Sequence, residues 1–351
     1  LTAIGSFLDA TATGVVTLTI WRFVTGMGVG ADLNLVSTYV GELAPASRRG
    51  RISTLTFLVG ILGQAVTPFI ALALVPHYSY GWRLLFVLGG LIATVGVIAR
   101  FRLPESPRWL ALHGRLPEAD AVVRRMEDGA RRRGIALPEP RPTEVAATQL
   151  SFPFRALFAM PYSKRLAVLV AMWFFWYIGN YAFLGDAASL LAAHGESVAD
   201  SILFLGIGAI GYPVGAILMS VIADAVERRL LIFGSTVVWL IGMILFGSQA
   251  NDATLTLGTF LASLALGLYL QIGYTYTAEL FPTRARASGF SLSDGIGHAG
   301  GAVGALLLPT LVAGTSFFVG FFGIGITGLI AGLIALAGPR TSRLRLESVS
   351  R

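Results

Sequence analysis

Glu279-Leu280-Phe281-Pro282-Thr283-Arg284-Ala285-Arg286 has the same layout as Glu42-Leu43-Ala44-Pro45-Ala46-Ser47-Arg48-Arg49: Glu-Leu-X-Pro, then an arginine four residues beyond the proline. Each copy closes an apolar run, one near 13–38 and the other near 253–278. Working outward, further runs bounded by Pro, Gly and charge lie near 52–75, 82–101, 166–191, 200–223, 230–248, 288–312 and 315–337, and residues 1–12 read as the end of another. A spanning helix needs about 20 apolar residues, so these runs predict an all-α polytopic membrane protein. Composition agrees: 55% hydrophobic, 13% charged and a mean hydropathy of +0.73, against about 25% charge in soluble domains. A water-soluble enzyme is excluded, and no nucleophile and base occur at a recognisable spacing. With no cysteine and four scattered histidines, neither a metal site nor a cofactor is expected. The net charge of +7 does not imply nucleic acid, because the arginines fall between apolar runs.

Those arginines set the orientation. Arg48, Arg49 and Arg51 mark one loop, Arg228 and Arg229 another, Arg284 and Arg286 a third, and Arg340, Arg343, Arg345 and Arg351 the tail. The turns around Pro76–Tyr80, Ala192–Ala199, Asn251 and Gly314 contain no Lys or Arg. The arginine loops and the tail are therefore expected in the cytoplasm of a cell bounded by this plasma (inner) membrane. A polar stretch from Arg102 to Lys164 separates three complete spans from six. The expected organisation is a partial N-terminal bundle over 1–101, a cytoplasmic linker with some helix over 102–164, a six-helix bundle over 165–338 and a tail over 339–351. No cleavable signal peptide is expected, and the start at Leu1 suggests a fragment.

The second Glu-Leu-X-Pro copy ends the fourth helix after the linker, whereas the first ends only the second helix present. Parallel repeats of six helices would therefore leave the first two helices and part of the third missing.

Further motifs carry a resemblance. They are Arg22-Phe23-Val24-Thr25-Gly26-Met27-Gly28-Val29-Gly30, the segment from Glu42 to Arg49-Gly50-Arg51, Gly81-Trp82-Arg83, and Pro104-Glu105-Ser106-Pro107-Arg108-Trp109-Leu110. With them the chain resembles the major facilitator superfamily, in particular its sugar-porter-like and metabolite:proton symporter branches, from the third helix of that fold to the twelfth. Asp224 with Arg228-Arg229 is similar to the family's cytoplasmic loop signature, with Ser220, Ala225 and Glu227 in place of Gly, Arg and Gly. Gly338-Pro339-Arg340-Thr341 resembles the motif after the last helix, with Arg in place of Glu. The resemblance implies two helical bundles that rock about a midplane site, and cytoplasmic charge pairs that form in one state and break in the other. Glu42 with Arg49, Glu105 with Arg108, and Glu279 with Asp224, Arg228, Arg229 and Arg286 are the candidates. Topology charges and helix-end dipole partners are the competing explanation.

Arg22 lies about 14 Å into its helix at 1.5 Å per residue, too deep to snorkel, so it needs a partner. In the symporters that the chain resembles, the matching arginine faces an acid on the first helix. Asp32 is the nearest acid in sequence and is expected with Arg22 on the substrate or proton pathway, but it lies about 15 Å further along and cannot pair with Arg22 directly. Asp294 and His298, four apart on one helix face, are either a proton relay or neighbours in a glycine-rich packing stripe. Trp173, Phe174, Phe175, Trp176, Tyr177, Asn180 and Tyr181 on one helix, and Gln271, Tyr274 and Tyr276 on another, offer aromatic faces with polar handles suited to planar molecules. Of these, Asn180, Gln271 and Tyr274 are expected on the substrate path. The double glutamine of hexose porters is absent, and a buried arginine favours an anion. The expected function is proton-coupled symport of a small organic or aromatic acid by a monomer in the lipid bilayer. A sugar or other metabolite transporter, and a non-transporting fragment or regulatory scaffold, are the alternatives.

Overall fold

Every apolar run is helical in the computed structural model, which describes residues 1–43, 49–101, 103–112, 114–134, 154–223 and 225–341. Helix is the regular structure of the described residues: α1 (Thr2–Ala10), α2 (Val15–Leu43), α3 (Arg49–Leu74), α4 (Gly81–Arg100), α5 (Pro107–Leu112), α6 (Leu116–Arg132) and α7 (Tyr162–Ala193). There follow α8 (Val198–Ala209), α9 (Gly211–Ile222), α10 (Arg228–Ser248), α11 (Asp252–Glu279), α12 (Thr283–Gly297), α13 (Ala299–Gly314) and α14 (Phe317–Ala337). Local chemistry sets the turns before α11 and α14. Asn251 and Thr254 form a capping box at the start of α11, and the Ser316 hydroxyl accepts from the Val319 amide at the start of α14, each satisfying amides that the first turn leaves free.

Seven segments among the described residues are long and apolar enough to cross a bilayer: α4, α7, α8 with α9, α10, α11, α12 with α13, and α14. Two spans expected as single helices are broken. Between α8 and α9 the chain runs Ile210-Gly211-Tyr212-Pro213, and Pro213 removes an amide from the helical ladder. Between α12 and α13 the break falls at His298, amid Gly295, Gly297, Gly300 and Gly301, which are poor helix formers.

The chain divides into two compact units, residues 1–56 with 78–149 and residues 57–77 with 150–351. The division cuts α3, all of which was expected in the bundle over 1–101. Its second half goes with the later unit, where Gly206 of α8 lacks the side chain that would meet Pro68 and Phe69. In the first unit α1 packs on α2 and α4, with Gly5 against Thr25 and Gly90 against the Phe7 ring. Asp32 pairs with Arg100 at 3.0 Å. The linker contains α5 and α6, where Arg115 clasps Glu118 at 2.7 Å through two nitrogens.

In the second unit α7 packs against α12, α13 and α14, while α11 contacts α8, α9 and α10. The interior is aromatic: Trp173, Trp176, Trp239, Tyr269, Tyr276, Phe246, Phe281 and Phe321 are fully buried. Trp176 stacks on Tyr269 with centroids 3.7 Å apart, and Trp239 Nε1 donates to the Ile324 carbonyl at 3.1 Å. Outward faces carry exposed Val221, Ile241, Leu257, Leu306 and Leu333. Exposed apolar side chains on helices of bilayer length fit a surface that faces hydrocarbon.

Candidate functional site

Trp173, Tyr177 and Tyr181 recur every fourth residue along α7 and so share one face. Opposite them α11 brings Tyr274 and Thr277, α12 brings Phe290 and Asp294, and the break before α13 brings His298. The Tyr177 hydroxyl donates to Asp294 Oδ1 at 2.7 Å and lies 3.4 Å from the Tyr274 hydroxyl. Trp173 Nε1 donates to Thr277 Oγ1 at 3.0 Å. The Trp173 ring stacks on Tyr177 at 5.3 Å and tilts against Tyr274 at 5.0 Å, and Tyr274 faces Phe290 at 5.3 Å. Together they form an aromatic wall with one carboxylate at its edge. Gln271, one turn before Tyr274, has a buried Nε2 with no hydrogen-bond partner among the described residues, and Asn180 is buried on α7.

His298 Nδ1 lies 2.7 Å from the Asp294 backbone carbonyl and 3.6 Å from Asp294 Oδ2. A carbonyl can only accept, so the ring hydrogen on Nδ1 points at the backbone, and the carboxylate is beyond good hydrogen-bond distance. The relay expected from the i, i+4 spacing is therefore not a direct Asp294–His298 bond here: Tyr177 is the group bonded to the carboxylate, and the His298 ring packs on the Tyr177 ring at 4.0 Å. Close glycine packing occurs at the same place. A Cβ on Gly297, Gly300 or Gly304 would overlap Trp173, the Phe174 carbonyl or the Ile178 carbonyl, so this glycine stripe is what lets α12 and α13 reach α7 and bring Asp294 to Tyr177.

Two residues beyond Thr277, where α11 ends, Glu279 Oε1 lies 3.4 Å from Arg228 at the start of α10, and Arg228 also donates to the Ala223 carbonyl. This ion pair ties the start of α10 to the end of α11 and is largely buried. Arg286 Nε donates to the Ala278 carbonyl at 2.9 Å, and Arg229 donates to the Leu336 and Gly338 carbonyls at 2.8 and 2.9 Å. These donors reach carbonyls at helix ends, where the last turn lacks amide partners. Glu105 Oε1 accepts from the Ser106 amide at 3.3 Å. Asp224 and the side chains of Glu42, Arg49 and Arg108 lie outside the described residues.

In the first unit the Arg22 guanidinium lies over the Phe86 ring, 5.1 Å from its centroid. Asp32, expected on the pathway, is held by Arg100 and lies 3.4 Å from the Thr2 hydroxyl. The acid that sequence reasoning passed over is Asp9. It is fully buried, with Oδ2 3.0 Å from Thr25 Oγ1. A lone acid in the apolar run 1–12 was the available signal.

Comparison with known proteins places these features. The family described as sugar (and other) transporter matches residues 1–351. The niacin transporter NiaP of Acinetobacter baylyi is 29% identical over 336 residues, covering 94% of this chain and 74% of the relative. The 4-hydroxybenzoate transporter PcaK of the same organism is 27% identical over 331 residues, covering 93% and 72%. Among solved structures, the inward-open xylose transporter XylE of Escherichia coli aligns with a TM-score of 0.74 at 18% identity, covering 99% of this chain and 80% of that one.

Proposed function

The chain belongs to the sugar (and other) transporter family and is a multi-pass membrane transporter with the major facilitator fold, not an enzyme; from that premise we propose that it couples proton movement to symport of a small organic or aromatic acid. The observation that carries the proposal is Asp294 held by the Tyr177 hydroxyl at the edge of the Trp173–Tyr274 wall. A carboxyl group inside a membrane bundle, bonded to a neutral donor, can exist with or without its proton, which is what a coupling group must do. The aromatic faces suit a planar ring, and the unpartnered Gln271 Nε2 offers a donor to an anionic oxygen. Two relatives are named for niacin and 4-hydroxybenzoate, both aromatic carboxylic acids. Arg22 would add a cation inside the first unit.

Alternating access then requires a cytoplasmic lock that opens. Glu279 with Arg228 fills that role in our reading, with Arg229 and Arg286 fixing the helix ends around it. The linker and tail face the cytoplasm of a cell whose plasma membrane holds the protein as a monomer.

The test is uptake into proteoliposomes with an alkaline interior, using labelled nicotinate, 4-hydroxybenzoate and xylose. An aromatic acid should accumulate above equilibrium and lose that accumulation when an uncoupler is added. Tyr177→Phe keeps the ring stacks but removes the bond to Asp294. A hydrogen bond to a charged group is worth about 1.5–3 kcal/mol, so gradient-driven uptake should fall about 10–150-fold. Accumulation of xylose alone, or acid uptake indifferent to the gradient, contradicts the proposal.

A further inference from the structure

We propose that His298 is a specificity-determining residue that reads a hydrogen-bond donor on the substrate ring. The acid carried is then one whose aromatic ring bears an O–H or N–H group away from its carboxylate, and His298 Nε2 accepts that hydrogen. The inference rests on the aromatic-acid reading above and narrows it to a substrate class.

The tautomer of His298 follows from its neighbours. Nδ1 lies 2.7 Å from the Asp294 backbone carbonyl oxygen. Two acceptors with no hydrogen between them would repel at that separation, so Nδ1 carries the hydrogen. The same carbonyl also accepts from the His298 amide at 3.0 Å, one bond for each of its two lone pairs. In the neutral ring, a hydrogen on Nδ1 leaves Nε2 as an acceptor. The ring is held in place by Tyr177 at 4.0 Å and Tyr181 at 5.8 Å between centroids. Its side chain is nonetheless 33% exposed, and no side chain among the described residues donates to Nε2.

The donors beside it are used elsewhere. The Tyr177 hydroxyl hydrogen goes to Asp294 Oδ1 at 2.7 Å, and Trp173 Nε1 donates to Thr277 Oγ1 at 3.0 Å. A hydrogen for Nε2 must therefore come from water or from a ligand. A planar ring entering along the Trp173–Tyr274 face takes the place of water at that edge, and the lost hydrogen bond must be replaced or the acceptor stays bare. Gln271 is the converse case, a buried Nε2 donor with no acceptor among the described residues. The two unmatched groups sit on different elements, α11 and the break before α13. They call for a ligand that brings an acceptor to one edge and a donor to another. A ring with a carboxylate alone would match Gln271 and leave His298 unmatched.

Equilibrium binding to the protein in lipid nanodiscs tests this with pairs of hydroxybenzoates and fluorobenzoates substituted at the same ring position, meta or para, because fluorine is close in size to a hydroxyl and donates nothing. One hydroxy acid should bind about 5–30-fold more tightly than its fluoro partner, the lower part of the range for an acceptor left bare, since the His298 ring is partly open. His298→Phe keeps a ring against Tyr177 and should bring the two acids of that pair to equal affinity. His298→Gln, whose amide oxygen can reach the Nε2 position, should restore part of the preference. A role in packing alone would weaken hydroxy and fluoro acids alike and leave their ratio unchanged. Nitrogen NMR of the protein labelled at histidine should show the His298 hydrogen on Nδ1, and a shift at Nε2 when the preferred hydroxy acid is added. A hydrogen on Nε2 in the neutral ring, or equal binding within both pairs, overturns the inference, as does a preference that survives His298→Phe. If His298→Phe does not insert, the wild-type ratio, the His298→Gln ratio and the NMR decide. A protein that binds none of these acids defeats the aromatic-acid reading and this inference with it, whereas binding that ignores the hydroxyl defeats the inference alone.

Discussion

Gly295 and Gly300 lie on either side of the His298 break, and an alanine at each should have opposite effects. Nothing lies within 4 Å of a Cβ built on Gly295, so Gly295→Ala gains only helix propensity, about 0.5–1 kcal/mol in favour of the fold. A Cβ on Gly300 would overlap the Phe174 carbonyl oxygen, which belongs to the backbone of α7 and cannot turn aside. α13 must then move off α7, and overpacking of this kind costs about 1–3 kcal/mol. Gly273 of α11 falls between the two: a Cβ there would meet Trp173 Cη2 at 3.0 Å, the far edge of a side chain with a little freedom. Thermal unfolding in detergent should therefore rank Gly295→Ala at or above wild type, then Gly273→Ala, then Gly300→Ala, with the extremes about 1.5–4 kcal/mol apart. Because the same approach of α12 and α13 brings Asp294 to Tyr177, Gly300→Ala should also lose transport. A Gly300→Ala protein that melts with or above Gly295→Ala refutes the account of the glycine stripe.

Glu279→Gln removes one charge of the Arg228 pair, whose side chains are 11% and 19% exposed. At about 1–3 kcal/mol for a pair between the exposed and buried extremes, turnover should change about 5–150-fold while substrate affinity stays nearly constant, as equilibrium binding against initial rates would show. In the linker, the Arg115 hydrogen bond holds the Glu118 carboxyl below its usual value. A lowered folded value means that the stabilisation is present above the ordinary carboxylate range and is lost as pH falls through the lowered value. Hydrogen exchange of the hydrogen-bonded amides just beyond the first turn of α6 should therefore speed up on acidification beyond the intrinsic trend, and Glu118→Gln should abolish that extra acid sensitivity.

The helices and their order could be read from the sequence because runs of bilayer length, broken by arginine loops, have few other physical solutions. The paired Glu-Leu-X-Pro segments likewise marked where α2 and α11 end. The site was harder to read. Tyr177 and Asp294 are 117 positions apart, and no periodicity within either helix shows that they meet. Spacing alone suggested His298 as the partner of Asp294; the short approach of Nδ1 to the backbone carbonyl turned that hydrogen away. Asp32 illustrates the same limit, since its partner Arg100 sits on α4. Asp9 escaped notice because a nine-residue helix at the chain start gives too little pattern to distinguish a core position from a surface one.

The Trp173 ring wedged between Tyr177 and Tyr274 gives this protein an optical reporter of its own. Indole emission responds to what stacks on the ring, so a planar ligand entering beside Tyr274 should quench it without any attached dye. Replacing Trp173 with phenylalanine would identify its share among the six tryptophans. The chain has no cysteine, so a single thiol can be introduced at either end of α7 as an acceptor, and distances from Trp173 followed through a transport cycle without removing any native reactive group.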